Sequence, residues 1–131
     1  MPTPYQLAFR SFGDDLQVKI TGGERVPENV LDCWLRIAAE VKLRGSKRLL
    51  AISHVEGEPM QLEHMHGFFA GMTGLGLEGV RVAYVDMAGF KTPLMETAEI
   101  LASEHGFSAR VFDNPIAAEL WLRHGHDRPW G

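Results

Sequence analysis

The segment "AISHVEGEPMQLEHMHGFF", residues 51–69, concentrates the side chains best suited to chemistry: Ser53, His54, Glu56, Glu58, His64 and His66. Three kinds of site use such groups: a metal centre, a hydroxyl nucleophile with a base, or a phosphorylated switch. Metal binding is disfavoured by spacing. His64 and His66 are two residues apart on a predicted helix, about 200° around its axis, whereas two ligands from one helix need a spacing of four. His124 and His126 offer at most a loose chelate in the tail, and there is no second cysteine and no H-E-x-x-H pattern. Ser53 and His54 are adjacent on a predicted strand, so they point to opposite faces, and no G-x-S-x-G turn surrounds the serine. The glycines of "GFFAGMTGLGLEG" (67–79) close a helix and precede a strand, the reverse of a phosphate-binding loop. They read as a helix stop, with Gly67 and Gly71 allowing close helix contact. No cofactor is implied by any of these patterns.

The elements that must position these residues follow from periodicity. "YQLAFRS" and "LQVKIT" alternate apolar and polar residues, and only "SFGDD" lies between them, so they form an antiparallel hairpin. The period then changes. Val30, Leu31, Trp34, Leu35, Ala38 and Val41 share one helical face, started by Pro27 and Glu28 and stopped at Gly45. Cys33, the only cysteine, falls off that stripe, where a partly covered bystander is favoured over a reactive thiol. "RLLAIS" (48–53) and "VRVAYVD" (80–86) lack polar alternation and read as strands buried on both faces of a parallel sheet.

Between those strands Leu62, Met65, Phe69 and Met72 mark a helix that begins near Pro59. Thr92-Pro93 caps a third helix that buries Leu94, Ala98 and Leu101 and stops at Gly106. "ARVF" is a short last strand. Asn114-Pro115 caps a fourth helix with Ile116, Ala117, Leu120 and Trp121 inward, and 124–131 is a loose tail. The predicted order is ββαβαβαβα: one α/β domain over 1–131, core about 5–123, with a mostly parallel sheet and an antiparallel edge hairpin. Periodicity does not decide whether the helices cover both faces of the sheet or mainly one.

In open sheets of this kind functional groups gather beyond the carboxyl ends of the parallel strands. Those ends carry Ser53, His54 and Glu56, then Asp86, Lys91 and Thr92, then Asp113 and Asn114. Glu58 opens the following helix. Thr92 and Asn114 also have capping roles, and Asp113 suits a turn.

Composition narrows the function further. The 131 residues, 45% hydrophobic and 23% charged, suit one globular domain. A net charge of −4 with scattered Lys and Arg shows no surface for neutralising nucleic-acid phosphates. No apolar run reaches the roughly 20 residues that span a bilayer, and "MPTPYQLAFRSFGDD" lacks the pattern of a secretory leader, so no membrane insertion and a cytoplasmic location are expected.

The order ββαβαβαβα, hairpin first and ending in "ARVFDNPIAAELWL", resembles the SpoIIAA-like branch of the STAS superfamily, the sulfate transporter and anti-sigma factor antagonist domains. The resemblance is carried by Arg110, Val111 and Phe112 in the strand, Asp113 in the turn, and Ala118, Leu120, Trp121 and Leu122 in the helix. "VRVAYVD" is similar to the family's penultimate strand. What the resemblance implies is a non-enzymatic domain for protein recognition, sometimes a phosphorylation switch, and in some relatives a binder of an apolar or anionic ligand. Relatives that switch carry a phosphorylated serine in a turn that opens the second helix. Here that turn reads "EGEPM", without a hydroxyl, and Ser53 lies too early. Glu58 would hold a fixed negative charge there, favourable by roughly 0.3–1 kcal/mol at a helix amino terminus.

Two expectations follow. The first is a regulatory domain that binds a protein partner or itself through residues 53–60 and the second helix, with Phe68 beside Phe69 among its exposed groups. The second is a small-molecule binding domain with a pocket at the strand ends, bounded by His54, Glu56, Asp86, Lys91 and Thr92.

Overall fold

A computed structural model describes residues 4–24, 26–55, 62–87 and 93–124. The chain forms a single α/β domain with a five-stranded mixed sheet and four helices. In chain order these are β1 (Gln6–Phe12), β2 (Asp15–Thr21), α1 (Pro27–Arg44), β3 (Arg48–Ser53), α2 (Leu62–Met72), β4 (Arg81–Asp86), α3 (Pro93–Glu104), β5 (Ser108–Phe112) and α4 (Pro115–His124). The hairpin strands run further than alternation alone predicts: Phe12 pairs with Asp15, so only Gly13 and Asp14 turn the chain. Gly13 has φ of 58°, a conformation open to glycine without strain.

Spatial order equals chain order, β1-β2-β3-β4-β5, with β1 antiparallel and the others parallel. Every crossover therefore advances one strand in the same direction. A shared crossover hand carries α1, α2 and α3 over one face of the sheet. The larger core lies there, joining Leu16, Val18, Ile20, Leu49, Ala51 and Val82 of the strands to Cys33, Ile37 and Val41 of α1, Met72 of α2 and Ala102 of α3. Among the described residues the opposite face is served by α4 alone. It buries Ala118, Trp121 and Leu122 against Leu50, Ala83, Val85 and Phe112. β3 and β4 are thus covered on both sides, as their unbroken apolar sequence requires.

Two helices are rotated relative to the expected faces. In α1 the buried line is Asn29, Cys33, Ile37, Ala38 and Val41, while Leu35 is 40% exposed. Cys33 is therefore a core residue, not one beside the stripe. The rest of the expected α1 stripe faces the core, with Ala38 and Val41 buried and Val30, Leu31 and Trp34 packed against it, while Arg36 on the adjoining face donates to the Tyr5 carbonyl of the chain entering β1 (2.9 Å). In α4 the inward residues are Ala118, Trp121 and Leu122; Ile116 and Leu120 are 69% and 53% exposed. Trp121 decides this, because its indole packs on Phe112 at 5.9 Å and under the guanidinium of Arg81 at 5.3 Å.

Helix ends follow the local signals where they are described. The Asn114 carboxamide oxygen accepts from Ile116 N–H at 2.7 Å, a side-chain cap ahead of Pro115. At the other end of α1, Gly45 adopts φ of 64°, and Ser46 N–H returns to the Val41 carbonyl. Thr92, the expected cap of α3, and the tail residues 125–131 lie outside the described residues, as does the Leu94 side chain. A Cβ at Gly71 would meet Leu31 at 3.6 Å, an ordinary contact, and one at Gly67 would meet nothing within 4 Å, so neither brings helices unusually close.

Gly23, between β2 and α1, is different. It has φ of 74°, and a Cβ there would fall 2.3 Å from the Tyr5 ring and 2.9 Å from the Pro4 backbone. Gly23→Ala combines left-handed strain with a clash against buried Tyr5, so urea denaturation should show a loss of about 2–4 kcal/mol. Asn114→Ala should cost about 1 kcal/mol by the same measurement.

Candidate functional site

The strand ends place the expected residues unequally. Ser53 and Asp86 are partners across β3 and β4, and each is only 1% exposed. Alternation puts both on the α1–α3 face, since Leu49, Ala51 and Val82 precede them there. The Ser53 hydroxyl accepts Val55 N–H at 3.3 Å, and the Ser53 carbonyl accepts Met87 N–H at 2.9 Å. His54 is exposed. Its backbone N–H extends the sheet to the Ile20 carbonyl at 2.9 Å, which leaves its imidazole apart from the Ser53 hydroxyl. Glu56, Glu58, Lys91 and Thr92 lie outside the described residues. Of the seven expected site residues, Ser53 and Asp86 are thus brought together, and His54 is not.

The histidines of α2, His64 and His66, are both exposed. Among the described residues no three His, Cys, Asp or Glu side chains are grouped to hold a metal ion. No described helix is long and apolar enough to cross a membrane.

Beneath the helices, rather than beyond the strand ends, lies a cavity of about 180 Å³. Its floor is the sheet: Ile20 of β2, Ser53 of β3, Val82 and Tyr84 of β4, and Ala109 and Val111 of β5. Its walls are Val30, Cys33 and Trp34 from α1, Met65, Phe68, Phe69 and Met72 from α2, and Met95, Ala98, Glu99 and Ala102 from α3. Tyr5, Val55, Leu77 and Phe107 complete it. Trp34 and Tyr84 approach at 6.1 Å between centroids, and Phe69 contacts Phe68 edge-on at 5.1 Å and Phe107 at 6.2 Å. An aromatic wall of this kind takes flat or chain-like apolar groups.

Of the expected residues that are described, Ser53 alone lines this space. The sequence did hold a signal for the rest: α2 offers Met65, Phe68, Phe69 and Met72, while α3 faces them with Ala98 and Ala102. Large residues opposite small ones leave room only if the backbones stay apart, and that separation is set by the sheet.

Ionisable groups on the lining are few. Burial pushes the Cys33 thiol up to about 12. Glu99 accepts the outward N–H of Val111 on edge strand β5 at 2.7 Å. Arg110 directs its guanidinium to the opposite face, 5.4 Å from Phe112 and 5.9 Å from Trp121.

These features define an α/β domain with an apolar cavity under one helical layer. No protein-family model matches the chain, and none of the curated proteins is significantly similar to it.

With its thiol held neutral, Cys33 should resist a disulfide reagent in the native state at pH 8, where on the order of one thiol in ten thousand is ionised. In denaturing urea it should react fully within minutes. Rapid reaction of the folded protein would show that the thiol is accessible and ionised.

Proposed function

We propose that this chain is a STAS-like binding domain without chemistry of its own, and that its ligand is a small apolar molecule held under α1, α2 and α3. The carrying observation is the cavity. Its roughly 180 Å³ is lined mainly by aromatic, methionine and small apolar side chains, the surface an apolar ligand needs. An apolar ligand buried there gains roughly 25 cal/mol per Å² of apolar surface removed from water. A cavity of about 150 Å³ lined by Leu, Ile and Phe accepts benzene, so the size here suits a single substituted ring or a short chain.

The element order and the segment Arg110–Leu122 support the STAS-like reading. The absence of a hydroxyl from Glu56 to Met60 argues against a phosphorylation switch in that turn. Recognition of a protein partner through residues 53–60 and α2 has less behind it: Met65 and Met72 face inward, Phe68 and Phe69 are half-buried, and Leu62 is the exposed large apolar side chain of that helix.

Thermal unfolding tests the proposal with ethylbenzene, indole and 1-hexanol as probes. A probe at 100 times its dissociation constant should add about 2.7 kcal/mol, on the order of 10 °C in Tm. Ala98→Phe, which fills the cavity from α3, should remain folded by circular dichroism and abolish the shift. If no probe raises Tm, or if Ala98→Phe binds as well as the parent, the cavity is not a binding site.

A further inference from the structure

Resting on that reading, we propose that the cavity selects apolar ligands whose polar end donates a hydrogen bond, such as an alcohol, a phenol or an amine, and rejects carboxylates. The selecting residue is Glu99. Among the described residues it supplies the one charged side chain on the cavity lining, since the Arg110 guanidinium lies across the sheet on Phe112 and Trp121.

Glu99 is well held for this task. One carboxylate oxygen, Oε1, accepts the Val111 N–H at 2.7 Å, which fixes the side chain against the edge of β5. The other oxygen receives no hydrogen bond from a described residue, so it is available as an acceptor. The Ser53 hydroxyl, another polar group on the lining, is engaged with Val55 N–H. The aromatic wall thus ends in an acceptor of fixed negative charge. A ligand donor offsets that charge, whereas a ligand carboxylate meets a like charge at close range. The resemblance implies an apolar or an anionic ligand; Glu99 separates the two.

The test uses four probes with one ring and one chain length: ethylbenzene, 2-phenylethanol, 2-phenylethylamine and phenylacetate, titrated calorimetrically at pH 7. In the parent protein 2-phenylethanol should bind at least tenfold more tightly than phenylacetate. Glu99→Gln keeps a carbonyl to accept the Val111 N–H and removes the charge. It should narrow the alcohol-to-carboxylate ratio to within threefold and weaken 2-phenylethylamine at least tenfold. A parent that binds phenylacetate within threefold of 2-phenylethanol overturns the proposal, and that ratio requires no variant. A preference unchanged in Glu99→Gln overturns it as well. Ethylbenzene separates the two levels: if it binds while the head groups go undiscriminated, the cavity stands and the role of Glu99 falls. If none of the four binds, both fall.

Discussion

The structure depends on one topological constraint, the sequential order of its five strands. Each parallel strand is laid beside the one before it, so the connecting helices have no reason to change face. α1, α2 and α3 share one side and touch in series, α1 against α2 and α2 against α3. Three helices side by side on a twisted sheet do not fill all the space beneath them with short side chains. Where α3 contributes Ala98 and Ala102, the gap becomes the cavity. The aromatic residues of α2 and Trp34 of α1 bound the space without closing it.

The other face follows from the same constraint by default. α4 follows β5 and folds back across β4 and β3. Its carboxyl end is fixed by cations from the strand starts: Arg48 and Arg81 both donate to the Leu122 carbonyl, at 3.3 and 3.4 Å, and Arg48 also pairs with Asp15 at 2.6 Å. Such pairs complement the negative end of a helix. They also explain why arginines begin β3 and β4 without forming an anion site. Beyond the reach of α4, the hairpin keeps Gln6, Ala8, Arg10 and Lys19 exposed on that side, consistent with its polar alternation.

The two sheet edges are treated differently. β5 is guarded by Glu99, whose carboxylate occupies the Val111 N–H. At the β1 edge, Arg36 occupies the Tyr5 carbonyl and Arg44 binds the Ser11 hydroxyl while pairing with Glu40. Both edges are thereby blunted by side chains from the helical layer, which limits strand addition. The connection after α2 is tightened in a similar way. Gly74 N–H donates to the Glu78 carboxylate at 2.7 Å, and this bond holds that carboxyl below its usual range.

Much of this fold was legible in the sequence because its signals are local. The hairpin showed in the alternation of Leu7, Phe9, Leu16 and Val18, the doubly buried strands in the loss of alternation at 48–53 and 80–86, and the start of α4 in Asn114-Pro115. Each depends on backbone periodicity or a cap a few residues long. What failed was rotation about the helix axis: Leu35, Ile116 and Leu120 belong to apolar stripes by spacing, yet they face outward. A helix turns to bury its largest or best-partnered groups, and those partners, Tyr5 for α1 and Arg81 and Phe112 for α4, come from distant parts of the chain. The candidate site divides the same way. Residue types drew attention to the strand ends, where polar groups cluster, and the packing of Ser53 and Asp86 there was foreseeable. The cavity was decided by tertiary structure alone, because an empty volume is a property of how far apart the sheet holds its helices, and no residue encodes that distance by itself.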